Sequence, residues 1–189
     1  MTDGVLVVDK PAGITSHDVV DRIRKLFKTK RVGHAGTLDP EATGVLILGL
    51  GRATRILSYA QAGPKSYRAQ GKLGITTTTL DASGDEIDVR PVDIGRTELE
   101  TAVGSFVGEI EQVPPMVSAV KIGGERLYKK ARRGEEVERP PRSVTIHSAE
   151  VISFDPPLFE FDVRCSGGTY VRTLIADIGE KLGCGAHMT

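Results

Sequence analysis

Residues 31–44, Arg31-Val32-Gly33-His34-Ala35-Gly36-Thr37-Leu38-Asp39-Pro40-Glu41-Ala42-Thr43-Gly44, constrain this chain more than any other stretch. Their glycines, histidine, acidic residues and proline lie between an amphipathic segment and an apolar run. That composition builds a shaped loop from few side chains, and such loops commonly carry function. Gly33, Gly36 and Gly44 admit backbone conformations closed to other residues, and Pro40 fixes φ directly after Asp39. The Asp39 carboxylate is therefore expected at one defined place and angle, which makes it the candidate reactive group. The same residues also read as an Asp N-cap with proline at the first helical position, which requires no chemistry.

The length of 189 residues suits one domain with a real core, or one domain with an insertion. A composition of 39% hydrophobic and 26% charged residues is that of a globular protein. The longest apolar runs, 5–8 and 45–50, have strand length and fall well short of a membrane span. Nothing at the N-terminus resembles an export signal, so the expected location is the cytoplasm. Cys165 and Cys184 lack C-x-x-C spacing and lie in or near apolar segments, which supports neither a disulfide framework nor a zinc site.

The formal net charge of zero hides an uneven distribution. Residues 1–60 hold nine Lys/Arg against six Asp/Glu, 61–80 hold three against none, and 121–142 hold eight against four. Residues 81–111 carry nine Asp/Glu against two Lys/Arg. Local field rather than net charge draws in a polyanion, so a basic face toward nucleic acid is compatible with this balance, as are ordinary solvated faces.

Along the chain, 4–8 reads as a buried strand closed by a turn at Asp9-Lys10-Pro11-Ala12-Gly13. Thr15 or Ser16 caps a helix with Val19, Val20, Ile23, Leu26 and Phe27 at helical spacing. Its other face carries Arg22, Arg24, Lys25 and Lys28, suited to guiding phosphate or simply to solvent. Residues 45–50 form a strand, 51–57 start a short helix, and 65–74 alternate as a strand. That last strand contains Tyr67, notable among only four Tyr, five Phe and no Trp, although cross-strand packing also explains it. A polar loop at 76–85, a helix at 97–106 and a strand at 109–113 follow.

From 116 to 142 the pattern loosens, with a hairpin turn at Gly123-Gly124 and a cationic stretch at 127–134. An arm onto an anionic partner and a solvated helix both fit. Strands at 144–153 and 159–165 lead to a last helix opened by 167–175. Arg172 lies within its apolar run, where an unpaired guanidinium is costly, so a buried carboxylate partner is expected.

In order, Asp9-Lys10-Pro11-x-Gly13-x-Thr15-Ser16, Gly33-His34-x-Gly36-Thr37-Leu38-Asp39-Pro40-x-Ala42-Thr43-Gly44, Lys65-x-Tyr67, Leu73-Gly74, Pro114-Pro115-Met116-x-Ser118-Ala119-x-Lys121 and Gly168-Thr169-Tyr170-x-Arg172 resemble the TruB family of pseudouridine synthases. The resemblance implies isomerisation of one uridine in the T-arm of transfer RNA. It implies a mixed α/β (α+β) catalytic domain around a largely antiparallel sheet, with no metal and no organic cofactor. It makes Asp39 the nucleophile and Tyr67 the platform that stacks on the uracil and helps move a proton. Arg172 is implied to pair with Asp39, and His34 to prop the space near the flipped nucleotide.

Lys10, Thr37, Lys65, Asp81, Lys121, Lys129, Lys130 and Arg132 are expected to contact RNA, the last four on or beside an arm at about 115–142. Family members continue past Gly183-x-Gly185-Ala186-His187, so an incomplete catalytic domain spanning 1–189, without the family's C-terminal RNA-binding domain, is the expected organisation. A monomer with no membrane partner is expected. Two other readings stay open: an RNA-binding or RNA-folding protein with weak or no turnover, and a synthase acting on another RNA.

Overall fold

Alternating residues near the start of the chain form strand β1 (Gly4–Lys10). It belongs to the first of two units into which the chain divides, residues 1–63 and 64–189; the computed structural model describes residues 2–118, 120–131 and 133–189. Helix α1 (Ser16–Leu26) opens with a capping box, in which Thr15 Oγ1 accepts the Asp18 N–H at 3.1 Å and Asp18 Oδ2 accepts the Thr15 N–H at 2.8 Å. Two donors left over at the helix start are thereby satisfied. Strands β2 (Val32–His34) and β3 (Gly44–Leu50), a 3-10 helix at Gly51–Ile56 and helix α2 (Leu57–Ala62) complete this unit.

Its antiparallel sheet has the order β1-β3-β2, with Val8 opposite Leu46 and Val32 opposite Leu50. Val32, Leu46, Leu48 and Leu50 bury against Val19 and Val20 of α1, joined by Leu6 and Val8. The expectation of a buried β1 is corrected: Val5 and Val7 are 54% and 64% exposed. Successive strand side chains point to opposite faces, and only Leu6 and Val8 join the core. At the end of α1, Leu26 and Phe27 are exposed as well, Phe27 being already the C-cap.

The second unit comprises β4 (Lys65–Leu73), β5 (Ile75–Thr77), β6 (Glu86–Val89), α3 (Arg96–Gly104), β7 (Gly108–Gln112), β8 (Lys121–Ile122), β9 (Glu125–Arg126), α4 (Leu127–Ala131), β10 (Arg142–Asp155), β11 (Leu158–Cys165), α5 (Val171–Lys181) and β12 (Ala186–Met188). Five strands form an antiparallel sheet in the order β12-β4-β11-β10-β7. Phe159, Phe161 and Val163 of β11, Leu99, Ala102 and Val103 of α3, and Leu174, Ile175 and Ile178 of α5 fill one core with both cysteines, which are free thiols. The polar loop expected at 76–85 is instead partly a hairpin, because β5 pairs with β6. β-branched Ile75, Thr76 and Thr77 suit a strand better than a loop.

The hairpin turn expected at Gly123-Gly124 is present between β8 and β9, with φ of +62° and +84°, the left-handed pair that a tight hairpin needs. Gly179 lets α5 lie directly on the Ala186 backbone, with which a Cβ at 179 would collide. No helix among the described residues is long and apolar enough to cross a membrane.

Asp177 of α5 has its pKa pushed up to about 6, first by burial and then by Glu180. The fold thus holds this proton more tightly than the unfolded chain, whose aspartate titrates near 3.8, and stability falls as pH rises between the two values. Asp177→Asn is expected to match the parent near the acid end of that range. At neutral pH it should be the more stable protein by at most about 3 kcal/mol, as measured by urea unfolding at several pH values.

Candidate active site

In the first unit, the Asp39 turn is held from both sides by residues that precede it in the chain. Ser16, buried at the start of α1, accepts the Leu38 N–H on Oγ at 2.9 Å and donates to the Leu38 carbonyl at 3.1 Å. On the other side, the Pro40 carbonyl accepts the Gly13 N–H at 3.0 Å and the Lys10 ammonium at 2.8 Å. The Ala42 N–H donates to the Asp39 carbonyl at 3.1 Å, which makes residues 39–42 a turn. No helix starts at Pro40, so the capping role for Asp39 is excluded. Gly36 and Gly44 adopt φ of +115° and +111°, conformations that a side chain would strain.

Lys10, expected to touch RNA, is 0% exposed, and its Nζ also donates to the carbonyls of Pro11 at 2.9 Å and Ile14 at 2.8 Å. An ammonium so enclosed orders the loop rather than meeting a phosphate. Burial lowers its pKa, opposed by the charges of Glu41 and Asp39. His34, in β2 opposite Leu48, donates from Nδ1 to the Gly36 carbonyl, which fixes its ring against the loop. Thr37 is exposed.

In the second unit, Arg172 near the start of α5 is 7% exposed and meets the expectation of a buried carboxylate partner. That partner is Asp81, whose Oδ2 lies 2.9 Å from Arg172 Nη1. The guanidinium also donates to the carbonyls of Thr79 at 3.2 Å and Val117 at 3.0 Å. Asp81 Oδ1 accepts from Thr79 Oγ1 at 2.6 Å, from the Ser83 N–H at 3.0 Å and from Ser83 Oγ at 2.5 Å. Burial pushes the Asp81 pKa up, but the hydrogen bonds from Ser83 and Thr79, with the Arg172 charge, outweigh it and hold the carboxyl below its ordinary value.

Asp81, expected to contact RNA, has its carboxylate engaged by donors from within this unit. The pairing of Arg172 with Asp39 implied by the resemblance would join residues of the two units. Tyr67 lies in β4 opposite Val163, half-buried against the core of the second unit. Lys65, on the same strand as Tyr67, is opposite Cys165 of β11, and Lys130 is half-buried in α4. Arg132 and the side chains of Lys121 and Lys129 lie outside the described residues. Nothing local in the sequence singles out Ser16 as a clamp on Leu38 or Thr79 as a support of Asp81; Ser16 lies in the first family motif but has there only the pattern of a helix cap.

Residues 24–171 match the TruB family pseudouridylate synthase N-terminal domain. The tRNA pseudouridine synthase B of Syntrophotalea carbinolica is 53% identical over 188 residues, covering 99% of this chain and 61% of that protein. That of Geobacillus kaustophilus is 52% identical over 195 residues, covering 99% and 68%. Among solved structures, a Cbf5-Nop10-Gar1 complex superposes with a TM-score of 0.76 at 34% identity, over 98% of this chain and 46% of the matched one. An H/ACA RNP bound to a substrate RNA containing 2'-deoxyuridine gives 0.72 at 30% identity, over 98% and 45%.

The mixed α/β, largely antiparallel fold expected from sequence is thus the fold of these relatives. The chain belongs to the TruB family of pseudouridylate synthases, and it spans about 61 to 68% of the length of the curated relatives it matches.

Asp81→Asn should destabilise the protein by about 3 to 5 kcal/mol near neutral pH, because it removes the carboxylate paired with the buried Arg172 guanidinium. In the parent, the depressed carboxyl contributes stability that is present above its ordinary pKa of 3.8 and is lost as pH falls through the lower folded value. Acid unfolding followed by circular dichroism should show that loss in the parent and not in the variant.

Proposed function

We propose that this chain carries the catalytic machinery that isomerises uridine 55 in the T-arm of transfer RNA to pseudouridine. The observation that supports it most is the Asp39 turn, which lies in the segment matching the TruB domain and is clamped on both sides by Ser16 and Lys10. The reaction breaks the N1–C1′ glycosidic bond and forms a C5–C1′ bond, with loss of the C5 proton balanced by protonation of N1 and no net change of oxidation state. It requires the base out of its stack, a nucleophile that bonds transiently to the substrate, and a proton acceptor.

Asp39 is the nucleophile. Tyr67 offers a flat face for the extruded uracil, worth roughly 1 to 3 kcal/mol per stacked base, and a hydroxyl at its tip. Arg172, anchored by Asp81, keeps the nucleophile ionised and aimed, and His34 shapes the space beside the base. Thr37, Lys65, Lys121, Lys129, Lys130 and Arg132 contact RNA, several of them on the arm at 115–142. The protein acts as a monomer in the cytoplasm, without metal or organic cofactor.

A second reading, RNA binding without turnover, is favoured by the excess of lysine and arginine in 121–142. It predicts steeply salt-dependent binding and no product.

With a T-arm stem-loop as substrate, Asp39→Asn is expected to lower pseudouridine formation by roughly a thousandfold or more while RNA affinity persists. Undiminished product from that variant would end the assignment. Parallel reactions on transfer and ribosomal RNA decide the substrate, with product from transfer RNA alone expected.

A further inference from the structure

Gln112 closes β7, the edge strand of the five-stranded sheet, yet the residue is only 1% exposed. Its carboxamide binds the backbone of a single residue twice. Oε1 accepts the Tyr170 N–H at 3.0 Å, and Nε2 donates to the Tyr170 carbonyl at 3.2 Å. A carboxamide used this way copies a peptide group, offering one acceptor and one donor to a neighbouring backbone.

Tyr170 is the residue from which α5 begins. Its backbone is extended, with φ of −102° and ψ of 106°, no side chain caps this helix start, and its carbonyl receives the helical Leu174 N–H at 3.0 Å. Gln112 therefore orients the peptide planes on both sides of Tyr170, two residues before Arg172. The chain that leaves Gln112 also reaches Val117, whose carbonyl accepts from the Arg172 guanidinium. Segments 112–117 and 170–172 are thus joined at both ends, by the Gln112 pair and by Arg172 itself. A hydrocarbon at 112 would fill the volume but leave the half-buried Tyr170 N–H without its acceptor.

We propose that Gln112 is a positioning residue for Arg172: its carboxamide sets the start of α5 and, through it, the place of the guanidinium in the isomerisation reaction. The catalytic half of this inference rests on the function proposed above; the structural half does not.

Two variants test it. Gln112→Met keeps length and removes both hydrogen bonds. Gln112→Glu restores both when its carboxyl is protonated, and as a carboxylate it sets a negative charge against the Tyr170 carbonyl. The measurements are kcat and KM on the T-arm stem-loop, relative to the unsubstituted protein at each pH, and the NMR signals of the Arg172 guanidinium, assigned by their loss in Arg172→Lys. Gln112→Met is expected to lower kcat about tenfold or more with KM changed less than about twofold, and to broaden the Arg172 signals. Gln112→Glu should match it near neutral pH and recover both kcat and sharp signals toward about pH 5, where the buried acid regains its proton.

Unchanged Arg172 signals in Gln112→Met, or no recovery of Gln112→Glu in acid, would overturn the proposal. Broadened signals with unchanged kcat would overturn its catalytic half. Should the unsubstituted protein form no pseudouridine, the isomerase reading fails, and the guanidinium signals still decide whether Gln112 places Arg172.

Discussion

The Lys10 ammonium, closed off from solvent and shared among the carbonyls of Pro11, Ile14 and Pro40, is the interaction on which the Asp39 turn depends. Burying a cation is costly, and burial accordingly drives its pKa down. Three carbonyl dipoles stand in for the lost water, and the fields of Glu41 and Asp39 favour the charged form. A turn with few side chains has little hydrophobic surface with which to fix itself. Here polar clamps supply that rigidity: Lys10 and Gly13 on Pro40, and Ser16 on Leu38.

The second unit solves the converse problem. There the buried cation is Arg172, and the group that organises it is an anion, Asp81, itself held by Thr79 and Ser83. A guanidinium presents its donors in a fixed plane, so carbonyls at Thr79 and Val117 define its orientation as well as its charge balance. A lysine at 172 would keep the charge and lose the plane.

What could be read from the sequence, and what could not, divides by the range of the interactions. The Thr15 cap, the strand containing Tyr67 and the Gly123-Gly124 turn announce themselves through neighbours within a few residues, and each is found in the fold, whereas the loop expected at 31–44 holds only over 35–43, because 32–34 pair as β2 and Gly44 opens β3. Strand β2 was hidden because Gly33 has no side chain with which to alternate. Lys10, beside a Pro-Gly turn, has the local signature of a surface lysine; its burial follows from the carbonyl of Pro40, thirty positions away in the chain. The apolar surroundings of Arg172 predicted a carboxylate, but nothing in them names Asp81, separated from it by 91 positions. The family motifs marked the residues of the candidate site without the bonds that hold them.

Gly179 adds a constraint of another kind. Because α5 rests at this glycine on the main chain of Ala186, helix and strand meet as a key meets its notch. Sliding the helix by one residue would bring a bulkier neighbour onto the notch, so its axial setting is quantised rather than adjustable. Arg172 lies two turns away, about 10 Å along the same rigid rod. A methyl group added at 179 would collide with the main chain of Gly185 and Ala186 and so act on the guanidinium from a distance.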